Sequence, residues 1–132
     1  MKTYCLNTEV SSTSMNKIID DIYSKKYVTI AGCNVNTVVR SYYDENLNKI
    51  INSFDYKIPD GYPLTWPLNI SYKKKYKRLA GADIFDHFVE NDTELRHFFL
   101  GDTDEVLKMM KKNLIKKNEK FQIPVIYWGK RR

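Results

Sequence analysis

Short runs of β-branched and aromatic residues alternate along this chain with longer amphipathic segments, and turn-forming residues close the runs. Tyr27-Val28-Thr29-Ile30-Ala31, Tyr56-Lys57-Ile58, Arg96-His97-Phe98-Phe99-Leu100 and Ile123 to Trp128 read as strands, Pro124 weakening the start of the last. Gly32-Cys33-Asn34, Pro59-Asp60-Gly61 and Gly101-Asp102 follow the first three. Between them, apolar residues recur every three or four positions. Met15, Ile18, Ile19, Ile22 and Tyr23 predict a helix over 14–25, with a cap from Ser11-Ser12-Thr13-Ser14 and Lys25 and Lys26 at its carboxyl end. Val35 to Tyr43 reads as a helix. Another over 44–53 is capped by Asp44 and striped by Leu47, Ile50, Ile51 and Phe54. Tyr62 to Ser71 contains Pro63 and Pro67 and reads as a short broken helix and loop. A helix over 82–91 carries Ile84, Phe85, Phe88 and Val89 on one face. The last, over 104–117, has Thr103 as cap and Val106, Leu107, Met110 and Leu114 inward.

Such alternation predicts an α/β fold: a Rossmann-like, mostly parallel sheet with helices on both faces. A chain of 132 residues, 42% hydrophobic, is expected to form a single domain over 1–132 with a real core. The net charge of +6, from 22 basic and 16 acidic residues, favours anionic partners: nucleic acid, phosphorylated small molecules or an anionic membrane surface. Cys5 and Cys33 can pair, but they lack ligand spacing and nothing suggests secretion, so they read as reduced thiols. The amino terminus lacks the apolar run of a signal peptide, and no run approaches the roughly 20 residues that span a bilayer. The expected location is cytoplasmic.

In parallel α/β folds, ligands bind at the carboxyl ends of the strands. Asp60-Gly61 stands at such an end. It is a common turn pair, and it is also where a carboxylate can act as a general base. Asn34 can cap the helix that follows or hydrogen-bond a sugar or phosphate. Arg78 belongs to the densest basic cluster, with Lys73, Lys74, Lys75 and Lys77. The cluster suits a solvated surface, whereas one Arg from it can clamp a diphosphate bidentately. Gly101 permits close approach of backbone to a ligand, or simply a strand-to-helix turn. Neither a dinucleotide fingerprint nor a Walker A pattern is present. His87 and His97 lack ligand-spaced partners and read as structural, and Asp102-Thr103-Asp104 reads as helix capping, so no metal site is expected.

Taken in order, several of these segments resemble the bacterial TagA/WecG/CpsF glycosyltransferase family, the N-acetylmannosaminyltransferase-like enzymes of wall and capsule polymer synthesis. The resemblance runs from about Ile18 to Leu114. It rests on Asn34-Val35-Asn36-Thr37-Val38-Val39, Asp60-Gly61-Tyr62-Pro63-Leu64-Thr65-Trp66, Arg78-Leu79-Ala80-Gly81-Ala82-Asp83 and Phe98-Phe99-Leu100-Gly101. Each is weak alone, but their order and spacing are fairly specific. The resemblance implies inverting transfer of an N-acetylhexosamine-type sugar from a UDP donor to a lipid-pyrophosphate-linked acceptor in wall, capsule or exopolysaccharide synthesis. It implies no essential metal and no cofactor. Asp60 matches the family's general base, Asn34 its strand-end Asn, and Arg78 the Arg that steadies the leaving diphosphate. Gly61 and Gly101 would keep the pocket floor open.

Two departures accompany the resemblance. Gly32 stands where some members carry Thr, which removes one polar contact. The chain is also shorter than a typical member, so the family's later strands, a further polar site residue and the basic carboxyl-terminal segment are expected to be missing. Two readings follow. The first is a UDP-sugar hexosyltransferase acting on a lipid-linked acceptor, peripheral at the inner face of the membrane. The alternative is a non-catalytic truncated remnant or accessory binding domain of the same fold. A shortened sheet exposes an edge, which favours homo-oligomers. A nucleic-acid partner is not expected, because the charge sits in one run without a recognition motif.

Overall fold

The computed structural model describes residues 2–25, 27–73, 76–92, 94–101 and 103–127, and it is a mixed α/β chain of six helices and six short strands among them. It divides into two compact units, Met1–Ile84 and Phe85–Arg132, the division falling within one helix. The α/β expectation holds. The strands form three two-stranded ladders, two parallel and one antiparallel.

The first unit opens with a hairpin absent from the sequence reading: β1 (Thr3–Cys5) pairs antiparallel with β2 (Thr8–Val10). Its turn is Leu6-Asn7, with Leu6 at φ 53°. The hairpin rests on hydrogen bonds as much as on apolar burial. Thr8 and Ser41 hydroxyls meet at 2.6 Å in the interior. Asn48 and Asn52 both donate to the Asn7 carbonyl at 3.1 Å, and Asn52 accepts from the Glu9 amide at 2.8 Å.

After Ser14, whose hydroxyl caps the Lys17 amide, α1 (Met15–Ser24) buries Ile18. Next come β3 (Ile30–Cys33), α2 (Val35–Tyr43), α3 (Glu45–Ser53), β4 (Tyr56–Pro59) and α4 (Tyr62–Tyr72). The expected strand at 27–31 is thus displaced toward the carboxyl end. Thr29 is tied to Asp55 by its amide (2.9 Å) and its hydroxyl (2.7 Å), so the ladder starts only at Ile30. Gly32 and Cys33, expected to end the strand, lie inside it because β4 pairs as far as Pro59. Asp44 caps α3 through the Leu47 amide, although Ile50, expected on its apolar stripe, is exposed.

Tyr62 to Tyr72 is one continuous helix rather than a broken one. Pro63 lies in the first turn, where its missing N–H has no intrahelical partner to lose. Pro67 forfeits one bond, to the Pro63 carbonyl, while burial of Leu64 and Leu68 holds the helix on the core. That core also contains Val10, Cys33, Val38, Ile51 and Tyr76.

The second unit holds most of α5 (Gly81–Asn91), then β5 (Arg96–Leu100), α6 (Asp104–Lys117) and β6 (Gln122–Tyr127). β5 and β6 are parallel, and their register shifts between the Arg96↔Gln122 and Phe98↔Val125 pairs. Pro124 lies in that irregular stretch, where a missing N–H is tolerated. Thr103 caps α6, which buries Leu107 and Leu114 and half-buries Met110. Val106, expected inward, is exposed because the buried stripe runs through positions 107, 110 and 114. Trp128, the expected end of the last strand, lies outside the described residues, as do Lys26 and Asp102.

Candidate active site

Because β3 and β4 are parallel neighbours in register, their carboxyl ends lie side by side, Cys33 opposite Pro59. The Asp60 amide extends the ladder by donating to the Cys33 carbonyl at 2.8 Å. Asp60 therefore leaves the sheet beside Asn34, which follows the neighbouring strand. A Cβ placed on Gly32 would stand 3.7 Å from Asp60 Oδ2, so the half-buried carboxylate lies next to Gly32.

Asn34 is the helix cap that one of its two readings required. Its Oδ1 accepts from the Thr37 amide at 2.9 Å and from the Thr37 hydroxyl at 3.1 Å. The residue remains exposed, and its amide nitrogen makes no hydrogen bond to another described residue. Gly61, at φ 106° and ψ 148°, holds a conformation that only glycine adopts readily, and it lets the chain turn from β4 into α4.

Arg78 reaches the same end of the sheet through the segment after α4. The Leu79 amide donates to the Pro59 carbonyl at 3.3 Å. The Arg78 guanidinium sits 5.9 Å from the centroid of the Tyr62 ring and 3.6 Å from Asp83 Oδ2. Asp83 also accepts from the Ala80 amide at 2.9 Å, which fixes the start of α5. Arg78 lines two cavities. One, about 490 Å³, is bounded by 11–16, Pro59, Arg78 and Asp83. The other, about 540 Å³, lies against Tyr62, Trp66 and Asn69. Asp60 lines neither of them.

The structure thus brings Asp60, Gly61 and Asn34 together at two adjoining strand ends, with Arg78 joined to them through Tyr62 and Pro59. Gly101 belongs to the second unit, at the end of β5. Its φ of 131° requires glycine, whereas an added Cβ there would meet nothing within 4 Å, so backbone conformation and not crowding selects it. Reading from sequence missed the wall formed by Ser11 to Ser14 and the hold of Asp83 on Arg78. Spacing did signal the latter: a carboxylate five residues after an Arg, at a helix start.

Cys33 and Cys5 are free thiols. Burial pushes the Cys33 thiol up to about 11, with the Asp60 charge adding and Lys57 opposing, so it is neutral beneath the site. His97 is structural, as expected: it stacks on Phe121 at 4.0 Å, and its Nε2 lies 2.7 Å from the buried Asp92 carboxylate. His87 packs edge-on against Phe88. Thr103, of the Asp-Thr-Asp run, caps α6 through the Val106 amide, and Asp104 pairs with Lys108. Among the described residues, no three His, Cys, Asp or Glu side chains are grouped so as to hold a metal ion.

A carboxylate at the end of one parallel strand, an amide donor at the end of the next and a guanidinium nearby thus lie at one end of the β3–β4 ladder of an α/β protein. The sequence model of the glycosyl transferase WecG/TagA/CpsF family matches residues 3–130, and the chain belongs to that family. No curated protein matches the chain. The family match extends beyond the segments legible by resemblance and takes in the amino-terminal hairpin. Membership makes the protein a glycosyltransferase, of a type that serves polysaccharide and cell-wall synthesis. No helix among the described residues is long and apolar enough to cross a membrane.

Proposed function

We propose that the protein moves an N-acetylhexosamine-type sugar from a UDP donor to a lipid-pyrophosphate-linked acceptor, with inversion and without an essential metal. In this reading the Asp60 carboxylate takes the proton of the acceptor hydroxyl. The hydroxyl oxygen forms a bond to the anomeric carbon from the face opposite the diphosphate. The bond from that carbon to the diphosphate oxygen breaks, and UDP leaves with the electron pair. Arg78 offers a planar pair of donors to the departing diphosphate. Asn34 offers its amide nitrogen, which bonds to no other described residue, to the sugar, its oxygen being committed to Thr37. Gly61 is assigned to a backbone surface facing the nucleotide sugar.

The observation that supports this reading best is the position of Asp60: half-buried at a strand end, beside an uncovered Gly32, and one residue before a glycine-only turn. The test combines binding and turnover. UDP should raise the thermal midpoint with EDTA present, and EDTA should leave turnover unchanged. Asp60→Asn should keep the UDP effect and lower turnover by about 100-fold or more. Unimpaired turnover in Asp60→Asn overturns the assignment of the base. UDP binding by a wild-type chain without transfer would favour a non-catalytic binding domain.

A further inference from the structure

α4 has no charged residue along its length, yet only one of its sides packs on the core. Leu64 and Leu68 are buried, while Tyr62, Trp66 and Ile70 are 73%, 72% and 62% exposed. These three recur at intervals of four and form one stripe on the outer face. An aromatic and aliphatic stripe of this kind exposed to water is a binding surface in want of an occupant. It continues past Pro63 and Pro67 into an apolar groove of about 180 Å³, whose far side is Leu6, Val35 and Val39.

The charge beside the stripe identifies the occupant. From Gly61 to Ala82 the chain has five basic residues, Lys73, Lys74, Lys75, Lys77 and Arg78, and no acidic one. Lys73 and Lys77 are exposed and form no ion pair with any described residue. A second copy docked symmetrically on this face would bring two such basic segments together, which is unfavourable. An anionic lipid surface meets both features: it accepts Tyr, Trp and Ile at the boundary of headgroup and acyl chain, and it attracts the lysines.

We infer that the outer face of α4, with the exposed Lys73 and Lys77 that follow it, is the surface by which this protein docks on anionic bilayers. α4 starts two residues after Asp60, so docking on this face holds the candidate base close to the lipid boundary. The inference extends the proposed lipid-linked acceptor, but its test uses no acceptor. Failure of docking and failure of transfer can therefore be told apart.

The experiment is co-sedimentation of the full chain with phosphatidylglycerol-containing vesicles and with pure phosphatidylcholine vesicles. Binding should favour the anionic vesicles and weaken with salt. In a Trp128→Phe background, Trp66 emission should shift to the blue on binding. Trp66→Ser combined with Ile70→Ser should weaken partitioning about tenfold or more, as expected when the apolar anchor is removed. Lys73→Glu with Lys77→Glu, both at exposed positions, should do the same and carries the test should the first pair misfold. Undiminished vesicle binding by both folded double variants overturns the inference. So does a dimer dissolved by Trp66→Ser with no vesicle binding by the wild type, which would make this face a contact between copies.

Discussion

The Asn34 Oδ1 serves Thr37 twice, so only its amide nitrogen is left for a substrate. Two substitutions separate these tasks. Asn34→Asp keeps a capping oxygen and should leave the urea midpoint near that of the wild type, while lowering transfer if the amide nitrogen holds the sugar. Asn34→Ala should in addition cost about 1 kcal/mol of stability through the lost cap. Gly61 is constrained differently, by φ 106°. Gly61→Ala should destabilise the fold by about 1–3 kcal/mol in urea titrations, because that backbone region is nearly closed to residues with a Cβ. At this scale, sequence picked out Asp60, Asn34 and Gly61 by their places after strands. It left the role of Asn34 open, since a cap and a ligand donor demand the same residue type at the same position.

Among the elements, α3 shows why an apolar pattern was an incomplete guide. Its expected stripe holds for Ile51, but Ile50 faces solvent, and the side toward the hairpin is built from Asn48 and Asn52. Polar residues four apart read as a solvated face until a partner strand is placed against them. Asn52→Ala would strip partners from the Glu9 amide and the Asn7 carbonyl, and should cost about 1–3 kcal/mol in the same titration. The hairpin itself was illegible for a related reason. Its strands have three residues each and no glycine in the turn, too little for a periodic signal. By contrast α6 runs over 104–117 as expected, because an N-cap, first-turn acids and last-turn lysines all agree there.

For the molecule as a whole, pH dependence follows from two buried acids on the paired strands. Burial raises the Cys33 thiol from 9.0 to about 11. Burial, followed by the hydrogen bond to Asp21, raises the Tyr56 phenol from 10.0 to about 12. Both keep their protons in the folded chain at pH values where the unfolded chain loses them. Their contribution is therefore complete below the unfolded values and is lost as pH rises through the folded ones. The denaturation midpoint should fall steadily above pH 9, the unfolded thiol value. Tyr56→Phe should flatten the upper part of that fall. Asp21 has the opposite sign: Lys25 first, then Tyr56, hold its carboxyl low, so its contribution is lost in acid.

From β3 onward, the alternation of strands and helices and the family to which the chain belongs were written in local sequence. Hydrophobic period, caps and turn residues act over a few positions and need no fold to be read. What tertiary structure alone decided was adjacency. The parallel register of β3 and β4 sets Gly32 and Asn34 beside Asp60. The return of the chain after α4 carries Arg78 to the Tyr62 ring and the Leu79 amide to the Pro59 carbonyl. It also decided which side of the uncharged α4 is covered, leaving Trp66 and Ile70 in water. Such facts depend on contacts between residues far apart in the chain, for which local propensity carries no signal.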